Sequence, residues 1–228
     1  MSNTQYGLFC PLAMACEVLE PRWTILILGE MWGGATRFNE IRRGVPGISP
    51  TLLSKRLREM EEHGLVDRIE DAAKGTVDYI RTAKAEELEP ALRLMAEWAY
   101  KHVEPDIALK EVDPDYLIWN IRQKLNVHEL PRRKIVIRFH YVDAPKRNAT
   151  NWIVVRPGEV VELCMRDPKF DVDLYVEAET QALASAWMGY SKLQTEIADG
   201  RIFLSGDPVL AKTIDRWMGS TTYAGGTN

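Results

Sequence analysis

Cysteine is scarce in this chain, and its three copies, Cys10, Cys16 and Cys164, are an odd number with no CxxC spacing. That argues against a disulfide framework and against a thiolate zinc site, and it suits a reducing cytoplasm. Long apolar runs are missing as well. No stretch approaches the roughly eighteen apolar residues that a membrane helix needs, so no membrane partner is expected. The opening MSNTQYGLFCPLA has no basic segment and no clear cleavage site, so a secretory leader is not expected either. The four histidines, His63, His102, His128 and His140, show no ligand spacing with one another or with acids. There is no Gly-rich phosphate loop, no GxSxG and no paired-carboxylate signature. The expectation is a protein with no catalytic residues, no metal and no cofactor, and not an enzyme.

What is present is enough chain for two domains, 228 residues of ordinary apolar content. The formal net charge of −4 argues weakly against a general nucleic-acid binder, but its distribution matters more. Between positions 37 and 58 the charged residues are Arg37, Glu40, Arg42, Arg43, Lys55, Arg56 and Arg58, six positive against one negative. A basic patch within an acidic remainder fits a protein that meets DNA on one face.

The segment 47–66, GISPTLLSKRLREMEEHGLV, carries that patch on a capped helix. Ser49 is a good N-cap and Pro50 suits the first helical position. Gly64 is placed for a left-handed exit. Leu53, Leu57 and Met60 form a buried stripe at i, i+4, i+7. The opposite face holds Thr51, Ser54, Lys55 and Arg58, with cations early in the helix, the reverse of what its dipole favours. An external anion resolves that conflict, and the DNA backbone is the obvious one.

Around this helix, 12–20 forms a short apolar helix ended by Pro21, and 22–32 is apolar nearly all round, a buried central helix. Thr36 is a plausible N-cap for a short helix RFNEIRRG, and Val45–Pro46–Gly47 is the turn. After Gly64 two alternating runs, LVDRIED and TVDYIRT, flank a small-residue turn and predict a hairpin. An amphipathic helix then runs from 85 to about 102. Helix–turn–helix followed by a two-stranded ribbon is a winged helix.

The ordered set CPLAMACEVLEPRWTILILGEMW, RFNEI, GIS, LSKRL, EHGLV and VDYIRT resembles the HxlR-type winged-helix regulators over roughly residues 8–102. The resemblance implies a homodimer held by the first and last helices of this domain. It also implies a palindromic double-stranded DNA operator, read by one recognition helix per half-site, with half-sites about 34 Å apart. Three departures stand out. Arg22 replaces the usual Lys before the tryptophan. The wing is acidic, with Glu70 and Asp71 flanking a single Lys74. Ala85 occupies a position where the family often has glycine.

The expected DNA-contacting residues are Arg37, Arg42, Arg43, Ser49, Thr51, Ser54, Lys55, Arg58 and Lys74. For Ser49 a cap and nothing more is the stronger reading. Arg56 faces away from Lys55 and has two readings, DNA contact or an ion pair with Glu59 or a neighbouring helix. Cys10 is a candidate redox residue, because in some relatives a cysteine at this place senses oxidants; the alternative is a structural residue beside a helix start.

The second half begins after a polar, proline-containing stretch, 104–114, expected as a linker. A helix DYLIWNIRQKL is followed by four strand-like runs, RKIVIRFHY, NWIVVR, VVELCM and VDLYVEA, separated by turn residues. Their regular spacing predicts an antiparallel sheet. A helix over 179–200, a strand RIFLSGD and a last helix PVLAKTIDRWM complete it, and 219–228 is expected to be a disordered tail. The VDLYVEAE run before a helix and DGRIFLSGD before the last helix resemble the sterol carrier protein 2-like (SCP2-like) fold over roughly 113–218. Such domains enclose an apolar cavity. On that resemblance Trp119, Trp152, Met165, Trp187, Met188 and Tyr190 become candidate ligand-binding residues, although any one of them is more often plain core.

The expected fold class is α+β, with a winged helix domain over 1–103, a linker, and an α/β SCP2-like domain with an antiparallel sheet over 115–218. The expected function is a cytoplasmic, dimeric DNA-binding transcriptional regulator modulated by a hydrophobic small molecule. Two alternatives remain open: a redox-sensing regulator using Cys10, and a hydrophobic-ligand carrier whose first domain only dimerises.

Overall fold

In the computed structural model, which describes residues 6–223, the apolar stripe of the basic helix is the keystone of the first core. Leu53, Leu57 and Met60 are at most 2% exposed and pack with Ile27, Leu28, Met31, Ile41 and Val45. Among the described residues, four helices precede the wing: α1 (Pro11–Leu19), α2 (Thr24–Trp32), α3 (Phe38–Gly44) and α4 (Pro50–Glu62). The central helix starts two residues later than the sequence suggests, because Trp23 takes a left-handed conformation at its N-cap. Thr36 does not cap α3. Its hydroxyl donates to Asp78 Oδ1 at 2.9 Å, and the Glu40 carboxylate accepts from the N–H groups of Thr36 and Arg37 instead.

The wing follows as β1 (Val66–Asp71) and β2 (Thr76–Arg81), paired antiparallel from Val66↔Arg81 to Asp71↔Thr76. Helix α4 hands over to it through Gly64, at φ 67°, with the Leu65 N–H returning to the Met60 carbonyl at 2.8 Å. Thr82 Oγ1 and Lys84 Nζ donate to the carbonyls of Gly64 and His63, both at 2.7 Å. The residues that follow the wing thus tie down the turn by which the chain leaves α4. The expected long helix after it is two pieces, α5 (Ala83–Glu86) and α6 (Glu89–His102).

Two compact units divide the chain between Ala96 and Glu97, inside α6. The segment expected as a linker is partly folded: it carries α7 (Pro105–Ala108), and Leu109 belongs to the second core. After α8 (Pro114–Lys124) come β3 (Ile135–Tyr141), β4 (Thr150–Val155), β5 (Glu162–Cys164) and β6 (Leu174–Ala178). Then follow α9 (Thr180–Met188), α10 (Leu193–Ala198), β7 (Ile202–Gly206), α11 (Pro208–Lys212) and α12 (Ile214–Trp217). The helix expected over 179–200 is broken at Gly189, which is left-handed at φ 78°.

The sheet is not antiparallel throughout, as the spacing of its strands suggested. Its order is β5-β4-β3-β6-β7, and β3 pairs with β6 in parallel, Ile137↔Leu174 to Tyr141↔Ala178. The loop after β5 carries the chain past β4 to the free edge of β3, rather than turning back on β5 in a hairpin. Gly206 closes the strand that follows: it sits at φ 122°, and a Cβ there would lie 2.3 Å from the Asp173 carbonyl oxygen. One face of the sheet supplies Ile137, Phe139, Tyr141, Ile153 and Val176 to a core shared with Ile118 of α8, Leu183 of α9 and Trp217. Trp217 is fully buried and its Nε1 donates to the Leu210 carbonyl at 2.9 Å.

Part of the expected tail is structured. Thr221 is 8% exposed and its N–H donates to the Trp187 carbonyl at 3.1 Å. Residues 224–228 lie outside the described residues. Among the described residues, no helix is long and apolar enough to cross a membrane.

Candidate nucleic-acid interface

Helix α4 is held by its buried stripe and by its cap, where Ser49 Oγ accepts from the Leu52 N–H at 3.2 Å. Capping engages the hydroxyl, so Ser49 supports the helix before it contacts anything else. The outer face then presents Thr51, Ser54, Lys55 and Arg58, all exposed. Lys55 Nζ lies 3.7 Å from Glu59 Oε1, one turn on, with 65% of its side chain exposed. Arg58 has no ion pair among the described residues, and neither does Arg42 at the end of α3. The four outward residues of α4 share one face at i, i+3, i+4 and i+7.

Arg56 belongs to the fold. Its guanidinium pairs with Glu59, and Nε donates to the Arg22 carbonyl at 3.0 Å. Of its two readings, the ion pair holds. Arg37 lies 3.6 Å from Asp78 on the wing. Arg43 is exposed beside Arg42. At the wing tip Lys74 Nζ is 3.1 Å from Asp71 Oδ2, and Arg68 pairs with Glu70. The Lys74 pairing and its N–H hold the Asp71 carboxyl below its ordinary value, so this turn is an internally neutralised pair.

Cys10 is exposed at the start of α1, where the backbone N–H groups of Ala13 and Leu12 lower its thiol pKa from the ordinary value. Cys164, on β5, is pushed the other way by burial.

The six candidate ligand residues of the second half do not converge. Trp119 is 3% exposed, and the Arg122 guanidinium lies 5.1 Å from its ring centroid. Trp152 stands opposite Arg138 and Cys164 in the sheet register, on the face away from the core, and Met165 follows β5 and is 42% exposed. Trp187 is buried on α9, and the Met188 carbonyl accepts from the Tyr100 hydroxyl. Tyr190 alone of the six lines a described cleft, of about 520 Å³, where it stands with Tyr100 and Tyr223. Those two were missed because Tyr100 sits at a helix end and Tyr223 in the supposed tail. Tyrosine clustering across 123 residues of chain leaves no local signal.

A short helix, a turn, an exposed hydroxyl-and-cation helix and a two-stranded ribbon together make a winged helix-turn-helix module. A family model described as HxlR-like helix-turn-helix matches residues 18–107. The uncharacterized HTH-type transcriptional regulator YvaP of Bacillus subtilis is 35% identical over 100 residues, which are 42% of this chain and 91% of YvaP. The HTH-type transcriptional regulator YodB of the same organism is 34% identical over 107 residues, 46% of this chain and 92% of YodB. A solved structure of reduced YodB superposes with a TM-score of 0.38 at 33% identity, covering 43% of this chain and 98% of that one. The chain belongs to the HxlR-like helix-turn-helix family.

Proposed function

We propose that this protein is a transcriptional regulator that binds a palindromic double-stranded DNA operator as a homodimer. Its domain over 1–103 reads the DNA, and the domain over 115–218, of SCP2-like type, tunes that reading through a hydrophobic small molecule. The observation that carries the first part is the outer face of α4, where exposed Thr51 and Ser54 flank Lys55 and an Arg58 with no ion pair among the described residues. The family membership and the names of YvaP and YodB support it.

Dimer formation is supported by apolar side chains left in solvent on the two helices that the resemblance assigns to the interface. Phe9 and Leu12 at α1 are 100% and 72% exposed, and Leu94 and Trp98 on α6 are 65% and 62% exposed. Exposed apolar groups at that density mark association surfaces, and a two-fold dimer matches a palindrome. An effector acts by preferring one arrangement of the dimer, and a coupling of about 1–3 kcal/mol switches occupancy. The test is selection of bound duplexes from a random pool, followed by a salt titration. Enrichment of an inverted repeat with affinity falling steeply in salt is expected. Recovery of no repeat, with salt-insensitive binding, leaves a ligand carrier as the better description.

A second reading has its own observation. The exposed, acidified thiol of Cys10 has the features of a reactive cysteine, which suits a redox-sensing regulator. Mass spectrometry after mild diamide treatment decides it: an unmodified Cys10 and unchanged DNA binding end this reading.

A further inference from the structure

The cleft of about 520 Å³ beside the end of α6 is built from the second unit alone. Its wall is aromatic. Tyr100 and Tyr190 stack with centroids 5.2 Å apart and planes 14° from parallel, and Tyr223 is tilted at 35° with its centroid 6.5 Å from that of Tyr100. Part of the wall is also anchored. The Tyr100 hydroxyl donates to the Met188 carbonyl at 2.8 Å, which pins the stacked pair to the end of α9. Burial raises both phenol pKa values, so the rings stay neutral in ordinary buffers.

The charge around these rings leans negative. Glu97 and Glu104 both line the cleft, against Lys101. His102 lines it too, with its ring 5.3 Å from that of Trp98. The cleft also lies at the C-terminal end of a fourteen-residue helix, where the last carbonyls lack intrahelical partners and the dipole is negative. Neutral tyrosine faces, two carboxylates and a helix C-terminus all attract the same ligand charge.

From this arrangement we propose that the cleft is a binding site for a flat aromatic cation, an aromatic ring system carrying a delocalised or quaternary positive charge. The ring stacks on the tyrosine wall, and the charge lies toward Glu97 and Glu104. The volume falls within the range of small-molecule sites, and the pinned tyrosine pair leaves little ordering to be done on binding. This rests on the reading of the second half of the chain as an effector domain, widened from 115–218 to the whole second unit that holds the cleft, and gives that effector a chemical class.

The experiment uses the full chain and no DNA in its first arm. Rhodamine 6G is titrated by fluorescence anisotropy, with fluorescein as an anionic dye of similar shape and tetraphenylphosphonium as competitor. Saturable rhodamine 6G binding, displaced by the phosphonium and at least tenfold tighter than fluorescein binding, is the expected result. Tyr190→Ala should weaken it at least tenfold and Tyr190→Phe little. Glu97→Gln with Glu104→Gln should weaken it at least fivefold at an unchanged melting temperature. Equal binding of the two dyes, no saturation, or indifference to all these variants overturns the site. A second arm measures operator affinity with and without rhodamine 6G. Unchanged affinity beside a bound, variant-sensitive dye sinks the effector reading and leaves the site standing.

Discussion

Reversing charge at Lys55 and Arg58 separates a DNA-reading face from a merely solvated one. Both side chains point outward from α4, and the only ion pair that either makes among the described residues is the 3.7 Å contact of Lys55 with Glu59. Exposed pairs of that kind contribute about 0.3–0.5 kcal/mol, so Lys55→Glu with Arg58→Glu should leave the fold intact within about 1 kcal/mol. The effect on DNA is far larger. If each cation neutralises one phosphate, a dimer loses four contacts, and the slope of log affinity against log salt falls by about 3.6 at about 0.9 per phosphate. A loss of at least tenfold at fixed salt, about 1.4 kcal/mol, is expected beside it. Anisotropy on a selected duplex between 50 and 200 mM salt gives both quantities, and circular dichroism gives the melting temperature. An unchanged slope and affinity in a folded double variant would refute the assignment.

Three other outcomes follow from the same contacts. Ser49→Ala removes the cap on Leu52 N–H and should cost about 1 kcal/mol in denaturant unfolding, with DNA affinity falling only as far as α4 frays; a large affinity loss without a stability loss would make Ser49 a direct contact instead. Lys74→Ala should change operator affinity less than twofold, because Asp71 already neutralises that ammonium; a tenfold loss would put the wing tip on DNA. Asp115, on the first turn of α8, has its carboxyl raised by burial and by Asp113. Its folded value therefore lies above its unfolded one, and the stabilisation is full below the unfolded pKa and is lost as pH rises through the folded one. Asp115→Asn should remove that loss, so its melting temperature should gain on the wild type as pH rises from about 4 to 6, and a gap that narrows instead would refute the sign.

The first half was legible because its signals are local. Ser49, Pro50 and Gly64 bracket α4, and the stripe Leu53, Leu57, Met60 points it inward; each acts within a turn or two of the chain. The wing was legible for the same reason, as two alternating runs joined by a short turn. The second half failed where structure depends on distant partners. Alternation marks β3 and β6 as strands, but nothing in either sequence says that they lie side by side and run parallel. The break at Gly189 was hidden because a helical pattern resumes at Leu193. The aromatic and sulfur side chains counted toward a pocket were sorted by the sheet's pleat and by α8 into core, open face and cleft, and composition carries no information about that sorting.

The basic patch shows a subtler limit. Counted from 37 to 58, the chain is strongly positive, but the window stops one residue short of Glu59 and far short of Asp78. In the folded protein Glu59 is shared by Lys55 and Arg56, and Asp78 meets Arg37. Much of the apparent excess is therefore compensated inside the module. The outward field rests on few cations, chiefly Arg58 and Arg42, with a wing that adds little. One such module grips a phosphate backbone weakly, whereas two joined rigidly engage both half-sites at high effective concentration. If the proposed dimer forms through the apolar surface exposed at Phe9, Leu12, Leu94 and Trp98, that surface becomes a condition for reading DNA, since the weaker the single grip, the more an operator complex depends on the contact between protomers.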